Sequence, residues 1–573
     1  MSSVRDTIYK LALENAIKFK GTANPKALIG HLIKEHPDVK QDMKSTMQLI
    51  NEVVGEVNTL DIDTQKQELL ELDPEYEEKK QAEKQKRKEQ RRELPDLPNA
   101  EPGKVITRIP PEPSKYNHLG HAMSFLLNYL YGKKYDGKIV LRFDDTNPEK
   151  SMQDYVDAVF EDIVDFMQLK PDTTVYASDH MDKYLDYAQR LIDSGDAYVC
   201  SCEQSDIAKG RREMADCPHR NQSVKQNDEL WSKMKSGELE EGSHVLRLKI
   251  DMQHKNAVMR DPVIYRLSYT PHYKKGTQYK VWPMYDFECA IEEGLCGVTH
   301  VLRSNEFDQR IELQNYIARL FGFPEVTYVH YGRYNIVGAT TKGREIRELI
   351  ESGDYIGWDD PRLVTIRALR RRGILRESFI ELAKQVGLSK TQTNLDFGII
   401  ASINRNLLDK TAKRYAAIKD PVTITVNGIP YDIKEFRLRY NPNEEARERK
   451  LPVARTYAIE RADLEDIPLN GVVRFIDSMN VKKTDQQTFE FLSDSYEEYN
   501  AMESTCGLIH FVPLSGDEVP AKLMMPDTKM LDLTCDPNVK ELSVGDVIQF
   551  ERFAFVRLDK WDGDTPIFWY THE

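Results

Sequence analysis

From residue 104 onward, short apolar runs alternate with longer stretches whose apolar residues recur at helical spacing, and this alternation constrains the fold most strongly. The run "GKIVLRFDD" predicts a buried strand, and "MQDYVDAVFEDIVDFMQL" predicts the helix that follows it. Strands joined through helices in this way pair in parallel and lie between layers of helix. The region therefore predicts βαβ units built around a parallel sheet.

The stretch "TRIPPEPSKYNHLGHAMS", residues 107–124, marks a junction between an extended segment and a helix. Its prolines exclude a helix on the first side, whereas "HAMSFLLNYLYG" has helical spacing on the second. His118 and His121 therefore lie at a helix N-terminus, where free backbone N–H groups favour anions. Two imidazoles there could donate to one phosphate chain, and Gly120 would let a flat base approach the backbone. A satisfied histidine pair in a turn is the alternative.

Different patterns flank the α/β region. Residues 1 to about 70 carry apolar residues at helical spacing and predict a small helical domain. The following "YEEKKQAEKQKRKEQRRE" is highly charged without an apolar stripe, which indicates a solvated helix or tether, or else an RNA-binding arm. After about residue 418, alternating runs such as "PVTITVNG", "TFEFLS" and "DVIQFERFAFVRLD" predict an all-β region of one or two barrels.

The composition limits the compartment and the partners. The 573 residues include 80 basic and 94 acidic side chains, and the net charge of −14 argues against a nonspecific nucleic-acid coat. No apolar run approaches the length of a membrane span, and the charged N-terminal stretch is not a secretory signal. The odd count of 7 cysteines without a regular framework indicates a reducing compartment. We therefore expect a cytoplasmic protein with no membrane partner.

Four metal-binding side chains occur in two close pairs within "VCSCEQSDIAKGRREMADCPHR". Cys200 and Cys202 form a Cys-x-Cys pair, and Cys217 and His219 form a Cys-x-His pair. Four soft ligands are the number that a closed tetrahedral zinc site needs, and such a site would be structural. Ordinary buried thiols are the alternative, but in a reducing compartment this spacing favours a metal.

Four motifs in order, "PPEPSKYNHLGHA", "LRFDDTNPEK", "WPMYDFECAIEEGLCGVTHVLRSNEF" and "WDDPRL", strongly resemble the glutamyl-tRNA synthetases of the archaeal and eukaryotic, glutaminyl-like type. These are class I enzymes, and "HLGH" matches their HIGH signature. The resemblance covers nearly the full chain. It implies ATP-dependent activation of L-glutamate, with Mg²⁺, and transfer to the 3′-terminal adenosine of tRNA(Glu).

The resemblance implies a multidomain fold with a Rossmann-type α/β catalytic domain that holds ATP at the carboxyl ends of its strands. It also implies a zinc site in an acceptor-stem-binding insertion, as in some members of the family. The predicted segments are an N-terminal helical domain (1–75), a charged linker (76–103), the first half of the catalytic domain (104–199), the insertion (200–280), the second half (281–345), a helical stem-contact domain (346–415) and all-β anticodon-binding barrels (416–573).

The site residues follow by matching positions to the family's motifs. His118 and His121 would contact the ATP phosphates, and Gly120 would let adenine stack. Asp144 would pair with the substrate's α-ammonium group, although a strand-end turn capped by Asp144 and Asp145 is the alternative. The substrate-binding residues implied in full are Arg108, Ser114, Asp144, Tyr285, Cys289 and Arg303.

Arg303 decides between the two amino acids that this family uses. The related glutaminyl-tRNA synthetases resemble the same region but have an uncharged residue at this position. A glutamate side chain needs a cation, and arginine offers a rigid fork to a carboxylate. A surface ion pair with Glu306 is the alternative for Arg303. The sequence therefore favours glutamate over glutamine.

One motif departs from the family's pattern. Class I enzymes carry a mobile KMSKS loop whose lysine meets the ATP phosphates, but here Gly343 falls near the expected lysine. The flanking Lys342 and Arg344 are the catalytic candidates in this loop, and Lys115 stands where the family usually has glycine. These departures keep a noncatalytic tRNA-binding descendant as an alternative.

The nucleic-acid partner is implied by the family as well. The basic run Arg367, Arg370, Arg371 and Arg372 follows "WDDPRL" on a predicted helix, where the family contacts the inside of the tRNA. As a charge cluster alone it would be a solvated face. The sequence leaves open whether tRNA(Gln) is also charged with glutamate. It also leaves the oligomeric state open, with a monomer as the working expectation.

Overall fold

The computed structural model of the protein describes residues 4–74, 76, 94–502 and 505–573. These residues form two compact units, divided between residues 93 and 94. The charged stretch that we interpret as a solvated helix, a tether or an RNA-binding arm lies almost wholly outside the described residues. Within the described part, no helix is both long and apolar enough to cross a membrane.

The N-terminal unit is helical, as the spacing of its apolar residues predicts. Three of its helices begin at side-chain caps. Asn24 accepts from the N–H of Lys26, Asp42 from that of Ser45, and Asp61 from that of Asp63. The apolar faces of the helices share one core. The helices are Val4–Lys18, Pro25–Glu35, Met43–Asn58 and Ile62–Leu72, with a 3₁₀ turn at Pro37–Asp42.

A parallel sheet lies at the centre of the second unit and confirms the prediction from the βα alternation. Its strand Lys138–Phe143 is a mostly apolar run because both faces are covered, and all but its first residue is buried. The N–H of Thr299 donates to the carbonyl of Ile106 (3.0 Å), which joins the two parts of the sheet. In spatial order the strands are Thr327–Tyr331, His300–Ser304, Ile106–Ile109, Lys138–Phe143 and Thr173–Tyr176.

The helices of this α/β region follow its strands in the chain. Two of them supply much of the core on the sheet, through Leu126 and Val159 among others. The helices are Leu119–Lys134, Gln153–Phe160 with a π-helical continuation at Glu161–Phe166, Met181–Asp193, Tyr285–Leu295 and Ile311–Leu320.

An antiparallel sheet interrupts the α/β region and has a core of its own around Trp231 and Trp282, which are fully buried. In sheet order its strands are Ala197–Cys200, Val245–Leu248, Val263–Leu267 and Val281–Pro283. Helices Gln204–Glu213 and Val224–Ser236 connect the first two strands. Strands this short carry little periodicity, which is why the sequence pattern does not predict this sheet. The insertion itself was expected only from the resemblance to the family.

The second part of the predicted linker, residues 94–103, packs against the α/β region. Leu97 is buried, and its N–H donates to the hydroxyl of Tyr135 (2.8 Å). The carbonyl of Pro98 lies 3.0 Å from Nε2 of His300. This proline-rich segment is therefore an ordered part of the second unit.

A mostly helical region follows the parallel sheet, as predicted, and shares its core through Ile366, Leu369 and Phe379. A short parallel pair of strands, Tyr334–Ile336 and Thr393–Leu395, ties its two ends together. The helices are Gly343–Glu351, Ile366–Arg371, Arg376–Val386 and Phe397–Leu408.

The all-β region consists of two seven-stranded sheets that curl back on themselves, which confirms the prediction of barrels. One begins and ends with strands that only Ala416 separates in the chain, so its edges must be neighbours. In order, it contains Arg414–Tyr415, Val547–Phe550, Ala554–Asp562, Thr565–His572, Val519–Met524, Met530–Cys535 and Ala417–Lys419.

The other seven-stranded sheet lies between two of these strands in the chain. Its edge strands are also close in sequence, separated by His510 and Phe511. In order, it contains Thr505–Ile509, Val472–Phe475, Asn480–Asp485, Thr488–Ser493, Pro421–Asn427, Thr456–Glu460 and Val512–Pro513. The remaining elements are the hairpin Glu435–Asn441 and Glu444–Pro452 and the short helices Arg461–Asp466 and Tyr496–Ala501.

The basic run at residues 367–372 is largely used inside the fold. Arg371 makes a bidentate pair with Asp559 (2.9 and 2.7 Å), on the strand Ala554–Asp562. Arg372 is buried, and its guanidinium donates to three backbone carbonyls. The N···O distances are 3.1 Å to Pro361, 3.4 Å to Tyr570 and 3.1 Å to Thr571.

The other two arginines of the run differ from each other. Arg367 pairs with Glu161 (2.7 Å), whereas Arg370 is exposed and lies over the ring of Phe166. The run is therefore neither a uniformly solvated face nor four cations free for RNA. It mainly joins the helical region to its neighbours.

Replacing Arg372 with Ala should destabilise the second unit by about 3 kcal/mol, because buried carbonyls would lose their donors. Replacing the exposed Arg370 with Ala is the matched control and should cost less than about 1 kcal/mol. Urea unfolding of the full chain, followed by tryptophan fluorescence, measures both. Equal midpoints for the two variants would contradict the structural role of Arg372.

Candidate active site

The carboxyl ends of the parallel strands open into a cavity of about 910 Å³. This is where open α/β sheets bind their ligands. Two of the eleven predicted catalytic and substrate-binding residues, Cys289 and Arg344, do not line it. The other nine line it together: Arg108, Ser114, His118, Gly120, His121, Asp144, Tyr285, Arg303 and Lys342.

The two histidines cap the helix Leu119–Lys134 as the sequence predicts. Nδ1 of His118 accepts from the N–H of Gly120 (3.1 Å), and Nδ1 of His121 accepts from the N–H of His118 (3.2 Å). Because each Nδ1 is an acceptor, the neutral rings carry their proton on Nε2. Burial, and then the charge of Lys115, lowers the pKa of His118 to about 3. Each ring therefore offers a neutral N–H donor.

The geometry of the histidine pair depends on Gly120. The two rings stack with centroids 3.9 Å apart. A Cβ on residue 120 would lie 3.0 Å from the ring of His118, closer than almost all real contacts of that atom. The glycine thus lets the ring fold back onto the helix N-terminus, which is a structural reason for it besides the approach of a base.

A buried ion network forms the floor of the cavity. Nε of Arg108 lies 2.9 Å from Glu293, and Arg142 contacts both Glu293 (3.3 Å) and Asp144 (2.6 Å). Burial alone would raise the pKa of Glu293, but the two guanidinium groups lower it below its usual value. Asp144 is thus held on Arg142 and also lines the cavity. Burial raises the pKa of Asp144 while the guanidinium of Arg142 opposes that rise, so Arg142 orients a carboxyl group that faces the cavity.

Asp145 has a different role from its neighbour Asp144. Its carboxylate accepts from the N–H and the hydroxyl of Ser178, both at 2.8 Å, and from the hydroxyl of Tyr273 at 2.7 Å. Asp145 is fully buried and does not line the cavity. The strand-end capping role that the sequence left open therefore fits Asp145 and not Asp144.

A third carboxyl group, Glu288, lies at the cavity wall. It is buried and contacts the hydroxyl of Thr146, while its Oε1 has no hydrogen-bond partner among the described residues. Burial, and then the negative charge of Asp144, raises the pKa of Glu288 well above its usual value. This environment therefore disfavours the charged form of Glu288.

Arg303 lines the cavity and has no carboxylate partner among the described residues. Its side chain donates to Gln314 (2.8 Å) and to Nε2 of His330 (3.2 Å), both uncharged acceptors. It is only 5% exposed, and Nη2 has no hydrogen-bond partner in the described part of the chain. Glu306, the alternative partner, pairs with Arg333 instead (3.3 Å). A buried cation in this state favours an anionic ligand.

The two catalytic candidates from the predicted loop lie at the start of the helix Gly343–Glu351, where Lys342 is the N-cap and Arg344 belongs to the first turn. Lys342 lines the cavity, but its side chain is 77% exposed and pairs with Glu345 (2.6 Å). Arg344 is 88% exposed, pairs with Glu348 (2.9 Å) and lies outside the cavity.

Cys289 lies beneath the cavity floor instead of lining the pocket. Its Sγ is 3.9 Å from Arg142 and 3.5 Å from Glu293, and burial raises the pKa of its thiol to about 12. Cys289 therefore acts as a small buried side chain beneath the ion network.

The predicted metal ligands form a cluster away from this cavity. Cys200 and Cys202 lie 3.5 and 3.6 Å from the Sγ of Cys217, and Nδ1 of His219 lies 3.4 Å from Cys202. Tetrahedral zinc would place thiolates about 3.8 Å apart and a thiolate about 3.6 Å from an imidazole nitrogen. Nε2 of His219 contacts Ser201 (3.1 Å), which leaves Nδ1 for a metal. The four side chains can therefore hold one metal ion.

The sequence reasoning missed Arg142, Glu293 and Glu288, which shape the site. A signal for Arg142 exists, because a charged residue inside the apolar strand "KIVLRF" must find a buried partner. Glu288 and Glu293 belong to an otherwise buried helix, "YDFECAIEEGL", which is the same kind of signal.

Comparisons with known proteins identify the relatives of this chain. The family described as class I tRNA synthetases (E and Q), catalytic domain, matches residues 104–410. The anticodon-binding domains of the same family match residues 412–494 and 497–559. The glutamate--tRNA ligase of Pyrococcus abyssi is 39% identical over 574 residues, which covers 98% of this chain and 99% of that protein.

More distant relatives extend the comparison. The glutamate--tRNA ligase of Methanocaldococcus jannaschii is 35% identical and covers 99% of this chain and 100% of its own. A crystal structure of a glutamate tRNA ligase from Elizabethkingia meningosepticum aligns with a TM-score of 0.39 and 16% identity, over 54% of this chain and 70% of its own, which is too distant for an argument. On the full-length relatives and the match over residues 104–410, this chain belongs to the class I tRNA synthetases of the E and Q family.

Proposed function

We propose that this enzyme is a glutamate--tRNA ligase that activates L-glutamate with ATP and transfers it to the 3′-terminal adenosine of tRNA(Glu). Its family acts on glutamate or glutamine, so the part of the cavity around Arg303 decides the substrate. The observation that carries the proposal is the buried Arg303, which has no carboxylate partner among the described residues. The names of the full-length relatives support the same activity.

Glutamate satisfies Arg303 and glutamine does not. A side-chain carboxylate would take the free Nη2 of Arg303 in a charge-assisted hydrogen bond. An amide would leave the guanidinium without a counter-charge in a desolvated site. Removing one partner of a buried charge pair costs about 2–5 kcal/mol, and we expect a similar cost here. Asp144, oriented by Arg142, would hold the α-ammonium group, and Tyr285 and Arg108 would border the bound amino acid. Ser114 would contribute a hydroxyl at the rim.

The histidine pair would act at the phosphate end. In activation, an oxygen of the substrate's α-carboxylate attacks the α-phosphorus, and the bond from that phosphorus to the bridging oxygen breaks, releasing pyrophosphate. This chemistry depends on positioning and charge stabilisation, so donors are needed and a general base is not. The Nε2–H groups of His118 and His121 would donate to the phosphate oxygens, and Gly120 would lie beside the adenine.

In the second step, the 2′-hydroxyl of the terminal adenosine attacks the acyl carbon, and AMP leaves. The Lys342 and Arg344 loop would move during this cycle, because its cations are held only by exposed ion pairs. ATP would bring Mg²⁺, which neutralises phosphate charge. The Cys200, Cys202, Cys217 and His219 cluster would hold a structural zinc ion, in keeping with its four-ligand geometry.

The tRNA would contact several parts of the chain. The two closed β-sheets would bind the anticodon, the antiparallel sheet of the insertion would bind the acceptor stem, and the helical region would lie along the stem. We keep the predicted segment boundaries, a monomeric state and the cytoplasmic location as parts of this proposal. Whether tRNA(Gln) is also charged depends on anticodon contacts.

Charging assays test the proposal directly. Purified tRNA(Glu) and tRNA(Gln) transcripts are incubated with the enzyme, ATP and radiolabelled glutamate or glutamine in parallel. We expect glutamate on tRNA(Glu), and glutamate on both transcripts would define a nondiscriminating enzyme. Glutamine on tRNA(Gln) would indicate a glutaminyl-tRNA synthetase. Bound tRNA without any charging would indicate a noncatalytic descendant.

In the same assay, replacing Arg303 with Ala should lower kcat/KM for glutamate about 100-fold, because losing one partner of a buried charge pair costs about 3 kcal/mol. The preference for glutamate over glutamine should weaken as well. Arg333→Ala is the matched control, since Arg333 also lines the cavity but is exposed and already paired with Glu306. Unchanged glutamate kinetics in Arg303→Ala would refute the assignment.

The neutral state of His118 predicts a specific sensitivity to acid. Its pKa is about 3 in the folded protein and about 6.5 in the unfolded chain, so the unfolded chain binds the proton first. Above about pH 6.5 the ring is neutral in both states, and His118 does not lower the free energy of unfolding. As the pH falls toward 3, the ring is protonated only in the unfolded chain, and the free energy of unfolding decreases. At pH 5 the loss from this residue is about 2 kcal/mol. We expect the free energy of unfolding, measured with urea at pH 8 and pH 5, to decrease less in His118→Gln than in the wild type. Equal losses would contradict the neutral, buried ring.

Replacing Cys217 with Ser should remove the metal and lower the stability of the insertion, because a closed site needs all four ligands. Elemental analysis should find one zinc ion per wild-type chain and none in the variant. Cys506→Ser, which changes an exposed cysteine outside the cluster, should keep the zinc. Full zinc occupancy in Cys217→Ser would rule out this ligand set.

A further inference from the structure

Lys115 occupies an unusual position between the proline-rich segment and the helix Leu119–Lys134. Its side chain is half-buried and lines the cavity next to the histidine pair. Its charge contributes to lowering the pKa values of His118 and His121, which places it in their immediate electrostatic surroundings. Lys115 therefore belongs to the phosphate end of the cavity.

The other cations that line the cavity are nearly all neutralised by carboxylates of the protein. Only Arg303 and Lys115 lack a carboxylate partner among the described residues. The paired cations, each followed by its partner, are Arg108 with Glu293, Arg266 with Glu149, Arg310 with Asp286, Arg333 with Glu306, and Lys342 with Glu345.

The two unpaired cations lie in different parts of the cavity. Arg303 lies at one end, over the rings of Phe307 and Tyr328. Lys115 lies at the end where the helix N-terminus and the histidine rings are. An unpaired cation at each end fits a ligand set with two separate anionic groups, a carboxylate at one end and a phosphate chain at the other.

The amine of Lys115 is partly buried but has no hydrogen-bond or ion-pair partner among the described residues. The nearby Lys150 repels the amine, while Glu112 attracts it from a distance. Its stem packs beside the loop, since a Cβ on Gly343 would lie 3.4 Å from Cβ and Cδ of Lys115. Burial lowers the pKa of Lys115, so the charged amine gains from an anionic partner.

We propose that Lys115 binds the triphosphate of ATP and then the departing pyrophosphate, a role that rests on the proposed ATP-dependent activation. When the bond between the α-phosphorus and the bridging oxygen breaks, its electron pair goes to the pyrophosphate, which gains negative charge. A cation that touches those oxygens stabilises this charge as it develops. Lys115 supplies that cation from a fixed segment, whereas the loop cations Lys342 and Arg344 are already paired with glutamates.

The test compares Lys115→Met with Lys150→Met, which removes a nearby but exposed lysine that does not line the cavity. In glutamylation of tRNA(Glu), Lys115→Met should lower kcat/KM for ATP about 10- to 100-fold, as expected for a lost charge-assisted hydrogen bond. The KM values for glutamate and tRNA should stay within about twofold of the wild type. Lys115→Arg should recover most of the loss, and Lys150→Met should behave like the wild type.

Binding of inorganic pyrophosphate, measured by calorimetry on the full chain, provides a second measurement that does not depend on turnover. Lys115→Met should weaken it about as much as it lowers kcat/KM for ATP. Unchanged ATP kinetics, or a loss that appears only in the KM for tRNA, would overturn the proposal. If the wild type charges no tRNA, the proposed function fails, and the pyrophosphate affinities of the same variants still decide the role of Lys115.

Discussion

The ion network under the cavity holds the site together, because it joins elements that are distant in the sequence. Arg108 lies in one parallel strand, Arg142 lies in the next, and Glu293 belongs to a helix about 150 residues later. Their charges are buried, so each is stable only while the others stay in place. The network therefore fixes the relative positions of the strand ends, and Asp144 takes its orientation from it.

The ion pairs of this floor also determine where the cavity keeps unneutralised positive charge. Along the floor, the guanidinium groups of Arg108 and Arg142 are neutralised by carboxylates of the protein, so this part of the surface carries no unpaired cation. At the ends, Arg303 and Lys115 are left with positive charge that the protein does not neutralise. The unbalanced charge is confined to two places, and a ligand with two anionic groups must align with both.

Much of this architecture follows from sequence periodicity. The βα alternation predicted the parallel sheet, and the short alternating runs predicted the closed β-sheets. The histidines were placed correctly at a helix N-terminus, but which ring nitrogen faces the cavity depends on backbone contacts that no pattern encodes. The surroundings of Cys289 and Arg371 could not be predicted for a similar reason: the contact with Arg142 and the pairing with Asp559 join distant segments.

The hydrogen bonds of Arg372 have a consequence for how the chain is made. Two of its acceptors, the carbonyls of Tyr570 and Thr571, follow it by 198 and 199 residues. While the polypeptide emerges from the ribosome, the helical region can fold early, but this guanidinium cannot be satisfied until the strand Thr565–His572 has left the exit tunnel. The junction between the two regions is therefore completed only after that strand has emerged, and a nascent chain stalled before it keeps an incomplete, more easily opened helical region.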